Sequence, residues 1–382
     1  MSDITIVHST VGGNPNGIPL GTLMITASLE ENGYTVDFRD YQTYEAEKKP
    51  LPSTFLDFIR SSTDLLGIGC MCGSIPYVLG AIQKLREEKP GKTVILGGPS
   101  ATDTPLEIME HFPVDIIVVG EGEETIVDLM HALEGEKEFS DVPGIIYRDN
   151  GEIKVNPRRE RIKDLDSVPF PAYHKIDFRD YGFRAGLVTT RGCPYRCTFC
   201  SAHSVWGYYV TKRSIQRVVQ EIEMVKDKAK SMGFVDDTLV LSRKRLFELC
   251  DYLRNEHIDL PWECHARINH MDEEMLKRMG SSYCTELLYG IESGSNRILE
   301  RVKKGFTIEE ARTVVEKTLK HIPTVYTSYI WGYPFETMED FYDTIMAVYQ
   351  DFRLPHVTPN LYLLCPYPRS QLAIEYFDKL QF

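Results

Sequence analysis

The sequence has no long hydrophobic run and no excess of basic residues. No apolar stretch approaches the length that spans a bilayer, and the first residues lack the charged-then-apolar pattern of a secretion signal. Lysine and arginine total 43 against 56 aspartates and glutamates, a net charge of −13, which disfavours binding along a nucleic-acid backbone. We therefore expect a cytoplasmic protein with no membrane span and no nucleic-acid partner.

The chain also lacks the cysteine pattern of a disulfide framework. Disulfides are rare in a reducing compartment, so the nine cysteines need another explanation. Three of them, Cys193, Cys197 and Cys200, share a C-x3-C-x2-C spacing directly after an apolar run at 186–190 that is typical of a strand. The other six lie in apolar surroundings and are predicted to be buried small side chains: Cys70, Cys72, Cys250, Cys264, Cys284 and Cys365.

Three cysteines this close together indicate a metal site. Thiolates are soft ligands suited to zinc and to iron–sulfur clusters. On a loop that leaves a strand, they can hold three irons of a [4Fe–4S] cluster and leave the fourth for a ligand that is not protein. With His203 they could instead form a Cys3His zinc site. Zinc modules are usually small, and the many strand–helix units that follow here favour the cluster.

Residues 1–140 are predicted to form a doubly wound, Rossmann-like α/β domain. Short apolar runs near 4–8, 65–70, 93–96 and 115–119 alternate with helical patterns, as buried strands of a parallel sheet do. Ligands of such sheets bind at the carboxyl ends of the strands. The residues near those ends are small or polar, although tight turns explain them equally well: Ser74, Gly97, Gly98, Ser100, Gly120, Glu121, Gly122 and Thr125.

A hairpin and linker at 141–184 precede a second domain at 185–382. The Asp-Asn-Gly sequence at 149–151 between two apolar stretches predicts the hairpin, and a proline-punctuated segment follows it. Beyond residue 185, six strand–helix units predict a partial (β/α)6 barrel whose first strand lies at 187–190. Polar residues follow several strands, at the rim where barrels carry their chemistry: Asp236, Asp237, Arg267, Glu292 and Ser293.

Three motifs resemble those of the cobalamin-dependent radical S-adenosylmethionine (SAM) family, whose members carry a B12-binding domain. They are the cysteine motif with Phe199 before its last cysteine, the Gly-Glu-Gly-Glu-Glu-Thr segment at 120–125, and the Gly-Ile-Glu-Ser-Gly-Ser run at 290–295. The resemblance covers nearly the whole chain. It implies a [4Fe–4S] cluster on the three cysteines, SAM on the open iron, and cobalamin at the strand ends of the first domain.

The resemblance also assigns roles to individual residues. Carboxylates suit the ammonium and hydroxyl groups of SAM, and arginine suits its carboxylate. Phe199 and the five polar rim residues are therefore the predicted SAM contacts, and the strand-end residues of the first domain are the predicted cobalamin contacts. The Asp-x-His-x-x-Gly motif, which supplies a cobalt-ligating histidine in other B12 proteins, is absent from the sequence. We expect base-off cobalamin without a histidine ligand, and a structural role for His8.

Two positions depart from the family pattern. Phe335 replaces the second glycine of a Gly-x-Pro-Gly-Glu-Thr motif, and Arg369 stands where glycine is common. Because side chains other than glycine tolerate a positive φ poorly, we expect the turn at Phe335 to differ.

The resemblance implies methyl transfer to an unactivated carbon, with the cofactors supplying the chemistry. The substrate is then a small molecule, a lipid or a protein side chain, and an external electron donor reduces the cluster. No catalytic residue beyond the cofactor ligands is predicted. One alternative keeps the cluster and SAM but catalyses a cyclisation or rearrangement without methyl transfer. Another is a non-catalytic Cys3His zinc protein with a ligand-sensing domain.

Overall fold

The structure, a computed structural model, describes residues 2–10, 17–44 and 51–379. These residues form two compact units. One reaches to Gly182 and includes Ser204–Trp206, and the other comprises Phe183–His203 and the residues from Gly207 on. No helix in the described ranges is long and apolar enough to cross a membrane.

The first unit is built on a seven-stranded sheet in the order β2-β1-β3-β4-β5-β6-β7. Strands β1 to β5 pair in parallel, and β6 and β7 are added antiparallel at one edge. The strands are β1 (Ile4–His8), β2 (Val36–Asp40), β3 (Leu65–Gly69), β4 (Thr93–Gly97), β5 (Ile116–Val118), β6 (Ile145–Asp149) and β7 (Glu152–Val155). The helices are α1 (Leu20–Glu31), α2 (Tyr41–Tyr44), α3 (Pro52–Ile59), α4 (Ile75–Glu88), α5 (Pro99–Asp103), α6 (Pro105–His111) and α7 (Glu123–Leu133).

Helices cover both faces of this sheet. On one face Ile6 belongs to an apolar cluster with Leu29 of α1 and Leu129 of α7. On the other, Val7 belongs to a cluster with Val78 of α4. Neighbouring residues of one strand face opposite helical layers because side chains alternate along a strand. The predicted doubly wound fold is confirmed.

The predicted hairpin is present between β6 and β7. Its turn residues Asn150 and Gly151 both have positive φ values, 49° and 87°. A two-residue turn of this kind requires left-handed backbone, which asparagine and glycine tolerate best. Because β6 pairs with β5, the hairpin extends the first sheet.

The second unit is a six-stranded parallel sheet in the order β15-β14-β13-β12-β11-β8, which confirms the predicted partial barrel. Its strands are β8 (Arg184–Leu187), β11 (Ser231–Phe234), β12 (Trp262–Ala266), β13 (Cys284–Glu292), β14 (Thr324–Trp331) and β15 (Val357–Leu363), and a separate ribbon joins β9 (Thr190–Arg191) to β10 (Thr211–Lys212). The helices are α8 (Ala202–Trp206), α9 (Ile215–Val225), α10 (Arg243–Asn255), α11 (Glu273–Gly280), α12 (Asn296–Arg301), α13 (Ile308–Thr318), α14 (Met338–Phe352) and α15 (Gln371–Glu375).

Helices cover one face of the second sheet. Thr327 and Tyr329 of β14 donate hydrogen bonds to Asp351 of α14, both over 2.7 Å. The hydroxyl of Tyr289 in β13 lies 2.9 Å from that of Thr318 in α13. These side chains face the helices, so the residues that alternate with them along each strand face the concave side of the sheet.

Candidate functional site

The three predicted cluster ligands lie on one loop that follows β8. The loop passes through β9 and turns at Gly192, whose φ is 99°. Two backbone amides support it. The amide of Cys200 donates to the carbonyl of Cys197 over 3.2 Å, and that of Ala202 donates to Cys200 Sγ over 3.4 Å. The loop therefore supplies hydrogen-bond donors to its own cysteines.

The chemistry of this loop fits an iron–sulfur cluster. Burial raises the pKa of the Cys193 thiol and raises that of Cys200 to about 11. Both therefore need a neighbouring cation, such as iron, to become thiolates near neutral pH. Among the described residues, no three His, Cys, Asp or Glu side chains converge as a single metal ion requires. His203 stacks on Tyr208, with ring centroids 5.3 Å apart, and gives no support to a Cys3His zinc site.

The six other cysteines divide into two groups. Four are buried as predicted: Cys70, Cys250, Cys264 and Cys284. The prediction is wrong for Cys72 and Cys365, which are exposed. Cys72 lies in the loop after β3, and Cys365 follows the edge strand β15.

Arg267 lies against the cysteine loop. Its Nη1 donates to Cys197 Sγ over 3.5 Å, and its guanidinium lies 3.8 Å from the Tyr195 ring centroid. Its Nε donates to Asn269 over 3.1 Å, and Nη2 donates to the Lys304 carbonyl. These bonds hold the guanidinium beside Cys197 Sγ. The arginine thus supports the cysteine loop directly, a role that the sequence interpretation missed.

The two aspartates after β11 have different surroundings. Asp236 is 2% exposed and accepts hydrogen bonds from the Thr189 amide over 2.7 Å and the Thr190 hydroxyl over 2.9 Å. This contact turns the chain beyond Leu187, so the prediction that β8 covers 187–190 is wrong in its bounds. Asp237 is exposed, and its carboxylate accepts from the Gly192 amide over 3.1 Å at the start of the cysteine loop.

Glu292 pairs with a lysine that the sequence interpretation did not select. Glu292 Oε1 and Lys304 Nζ are 3.2 Å apart, and both residues are buried. Glu292 has a φ of 79°, and its carboxylate folds over Gly290, where a Cβ would overlap it. Lys304 Nζ also lies 6.0 Å from the Phe199 ring centroid. The ion pair therefore lies between the end of β13 and the cysteine loop.

Ser293 is buried and engaged within the protein. Its hydroxyl lies 2.9 Å from that of Thr344 in α14 and accepts from the Ser295 amide over 3.1 Å. Gly294 comes so close to α14 that a Cβ would overlap the helix backbone. Packing on α14 therefore fixes the turn that follows Glu292.

Phe199 belongs to a small apolar cluster beside the cysteines. The cluster includes the buried residues Val302, Tyr333 and Leu372, and the Phe199 ring lies edge-on to Tyr333 at 6.4 Å. The neighbouring Thr198 donates from its amide to Val302 (3.4 Å) and accepts from the Leu372 amide (2.9 Å). These contacts hold the last turn of the cysteine loop.

Three residues predicted to contact cobalamin shape the loops at the carboxyl edge of the first sheet. Ser74 accepts a hydrogen bond from the Ser9 hydroxyl over 2.8 Å. Gly98 has a φ of 92°, and a Cβ there would lie 2.7 Å from the Cys70 carbonyl oxygen, so the position requires glycine. Gly97 has more room, because a Cβ there would meet nothing closer than 3.9 Å.

Hydroxyl groups at this edge are available to a ligand. Within the described ranges, neither the buried Thr10 Oγ1 nor the half-buried Ser100 hydroxyl has a hydrogen-bond partner. Gly120, with a φ of 90°, donates its amide to Thr102 over 3.0 Å, and Gly122 directly precedes α7. Orphaned buried hydroxyls indicate a missing partner, and the amide-rich rim of cobalamin fits that need.

Glu121 and Thr125 bind a later segment of the first unit. The Glu121 carboxylate accepts from the Ile162 amide over 2.9 Å, and the Thr125 hydroxyl accepts from Arg159 Nε over 2.9 Å. Both side chains therefore stabilise the fold of this unit, which is a role that their motif alone did not indicate.

The two departures from the family pattern are accommodated differently. Phe335 does not have a positive φ; it stacks on Tyr333 at 5.7 Å, and the Arg301 guanidinium lies 3.9 Å from its ring. Arg369 has a φ of 67°, in the left-handed region that favours glycine. The turn at Phe335 therefore needs no glycine, whereas that at Arg369 is strained.

The fold and the site define a two-domain α/β protein with a loop of three cysteines at the rim of an open parallel barrel. The chain belongs to the radical SAM superfamily, whose model matches residues 187–348, and it carries a B12 binding domain matched at 5–130. It is a radical SAM enzyme, as predicted. These two families imply a [4Fe–4S] cluster, SAM and cobalamin as its cofactors.

The chain is similar to two relatives in sequence and to one protein of known structure in fold. It is 33% identical to an uncharacterized methyltransferase of Pyrococcus horikoshii, over 93% of this chain and 78% of the relative. It is 26% identical to an anaerobic magnesium-protoporphyrin IX monomethyl ester cyclase of Rubrivivax gelatinosus, over 96% of this chain and 67% of the relative. The radical SAM methyltransferase TsrM of Kitasatospora setae has the same fold, with a TM-score of 0.80, 19% identity, and coverage of 98% of this chain and 76% of TsrM.

Proposed function

We propose that the protein transfers a methyl group to an unactivated carbon of its substrate. The observation that carries this proposal is the joining of a B12 binding domain to a radical SAM barrel in one chain. When bound, cobalamin supplies a methyl carrier, and the cluster with SAM supplies a substrate radical. The names of the Pyrococcus relative and of TsrM, both methyltransferases, agree with it.

The residues of the second unit then have distinct tasks. Cys193, Cys197 and Cys200 hold the cluster, and Arg267 donates a hydrogen bond to Cys197 Sγ over 3.5 Å. Glu292, held beside Lys304 at 3.2 Å, offers a carboxylate for the ammonium group of SAM.

Four other residues are predicted to contact SAM, and we propose this role for two of them. Asp237 is exposed next to the cysteine loop and suits the ribose hydroxyls of SAM. Phe199, packed in its apolar cluster, lines the apolar side of the proposed SAM site. Asp236 binds Thr189 and Thr190, and Ser293 binds Thr344, so we propose that both position the backbone around the site.

In the first unit, cobalamin binds base-off with no protein nitrogen on cobalt. His8 ends β1 half-buried, and burial lowers its pKa, an effect that the charge of Asp40 opposes. Ser74, Gly97, Gly98, Ser100 and the 120–125 turn form the cradle. Electron paramagnetic resonance of the cob(II)alamin form should lack the nitrogen splitting of a histidine ligand, and its presence would refute this geometry.

Methyl transfer and cyclisation give different products from SAM. We expect the reconstituted, reduced protein to move the labelled methyl group of SAM onto bound cobalamin and to release S-adenosylhomocysteine. Release of 5′-deoxyadenosine without S-adenosylhomocysteine would favour the second candidate, a cyclisation or rearrangement, for which the Rubrivivax cyclase is the supporting relative.

A further inference from the structure

The concave face of the second sheet carries four polar side chains. His265 lies between the buried Cys264 and Ala266, so it points away from the helices. Tyr326 and Ser328 alternate with Thr327, whose hydroxyl bonds to α14, and therefore face the concave side. Asn360 lies opposite Ser328 in the pairing of β14 with β15.

These side chains form a continuous patch. Leu288 of β13 pairs with His265 of β12 on one side and with Tyr326 of β14 on the other. His265 and Tyr326 therefore lie on the two strands that flank β13. None of His265, Tyr326, Ser328 and Asn360 makes a side-chain hydrogen bond or ion pair to any residue that the structure describes. His265 is exposed and the other three residues are half-buried, so their donors and acceptors are open to a ligand on one surface.

The charged residues that border this patch disfavour the binding of an anion. The Arg184 guanidinium crosses the concave face over Gly233, where a Cβ would lie 2.8 Å from Nη2, and pairs with Glu263. Glu286 is the register partner of Glu263, and its charge acts on Arg184. Two carboxylates therefore share one guanidinium, and the floor of the concave face is negative.

Two further cations of the described ranges lie near this face and are also occupied. Arg267 donates to Cys197, Asn269 and the Lys304 carbonyl, and Lys304 Nζ pairs with Glu292. A carboxylate or phosphate placed against His265 would meet the negative floor, and the described cations nearby, Arg184, Arg267 and Lys304, already bind other groups, which disfavours anions.

The imidazole of His265 is itself uncharged near neutral pH. Burial among the strands lowers its pKa, and the charge of Arg184 lowers it further. A neutral imidazole offers one donor and one acceptor, and the hydroxyls and the amide around it offer both as well.

We propose that the concave face selects an uncharged, hydroxyl- or amide-bearing end of the substrate, bound by His265, Tyr326, Ser328 and Asn360. This inference rests on the proposed function and names the substrate class for it. Val235, which is 50% exposed, and the half-buried Leu288 supply apolar contacts beside the polar groups.

Acetamide and acetate are a matched pair of probes, because they have the same shape and differ in charge. We would titrate each into the full reconstituted chain and follow the histidine side-chain resonances, with that of His265 assigned by its loss in His265→Phe. We expect acetamide to shift the His265 resonance with at least fivefold tighter binding than acetate. Ser328→Ala and Asn360→Ala should each weaken acetamide binding about fivefold, as the loss of one neutral hydrogen bond does.

Ser328→Lys supplies the cation that the face lacks and should reverse the preference towards acetate. His321, at the far end of α13, is the internal control and should not respond to either probe. Acetate binding equal to or tighter than acetamide binding, or no response of His265 to either, would overturn the proposal. Methyl transfer from SAM to cobalamin, measured on the same preparation, separates this failure from failure of the proposed function.

Discussion

Arg267 Nη1 lies 3.5 Å from Cys197 Sγ, so a guanidinium from the end of β12 touches a predicted cluster ligand. The same guanidinium lies 3.8 Å from the Tyr195 ring centroid and donates to the Lys304 carbonyl. One side chain therefore connects three parts of the site: the cysteine loop, β12 and the segment after α12.

Removing Arg267 should weaken the cluster site itself. Arg267→Ala takes away the positive charge beside Cys197 and the donor to Lys304, so we expect less iron per chain after gel filtration and about tenfold weaker SAM binding. Arg267→Lys keeps the charge but loses the planar guanidinium group. Its iron content and SAM affinity should therefore lie between those of the wild type and those of Arg267→Ala. Full iron content with weakened SAM binding would instead mean that the arginine contacts SAM and not the thiolate.

Replacing Cys193, Cys197 and Cys200 together by alanine should abolish cluster assembly. The wild-type chain should bind about four irons and four sulfides after anaerobic reconstitution. The triple variant should bind none and should not cleave SAM to 5′-deoxyadenosine. Cys72→Ala and Cys365→Ala, at exposed positions, are controls that should keep full activity. Stoichiometric zinc without iron, in protein made with ample iron, would contradict the cluster assignment.

Glu292→Ala should weaken SAM binding about tenfold or more, because a charge-assisted hydrogen bond contributes ~1.5–3 kcal/mol. Equilibrium dialysis with labelled SAM measures the change. The variant also leaves Lys304 buried without its partner, so Glu292→Ala combined with Lys304→Met separates the two effects. If SAM affinity is unchanged in Glu292→Ala while the cluster content is intact, the carboxylate does not bind SAM.

Gly98 and Gly97 should respond differently to substitution. Gly98 has φ 92° and ψ 178°, a conformation that is nearly restricted to glycine, and Gly98→Ala should destabilise the first unit by about 1–3 kcal/mol. Gly97→Leu should leave the fold intact and block cobalamin uptake by occupying the space over the strand end. Denaturant unfolding and the absorbance of bound cobalamin measure the two outcomes. A folded Gly97→Leu variant that still binds cobalamin would place the corrin elsewhere.

Asp340 should make the second unit sensitive to acid. The Arg297 guanidinium, with the hydroxyls of Ser295 and Thr337, holds the pKa of Asp340 below its ordinary 3.8. A carboxyl group whose pKa is lowered in the folded state stabilises the fold at pH values above its ordinary pKa. This stabilisation is lost as the pH falls from the ordinary pKa through the folded-state pKa.

The difference in denaturation midpoint between wild type and Asp340→Asn should therefore be constant above about pH 5 and shrink below about pH 4. Asp343→Asn, at an exposed position of the same helix, should shift the midpoint little at any pH. A constant Asp340→Asn difference down to about pH 3 would show that the charge of Asp340 does not contribute.

Local patterns in the sequence determined the architecture of the protein. The apolar runs near 4–8, 65–70 and 93–96 lie within one residue of β1, β3 and β4, because a strand buried on both faces is continuously apolar. The cysteine spacing likewise identifies the cluster loop, since three ligands of one cluster must be close along a loop. Both signals depend on neighbours in sequence.

Tertiary structure alone decided which rim residues are bonded within the protein and which are exposed. Asp236 and Asp237 are adjacent and chemically identical, yet Asp236 binds Thr189 and Thr190 while Asp237 is exposed beside the cysteines. Lys304 reaches Glu292 only because the turn after α12 returns to the end of β13. The roles of such residues depend on hydrogen bonds between segments distant in the chain, and no local pattern in the sequence carries that information.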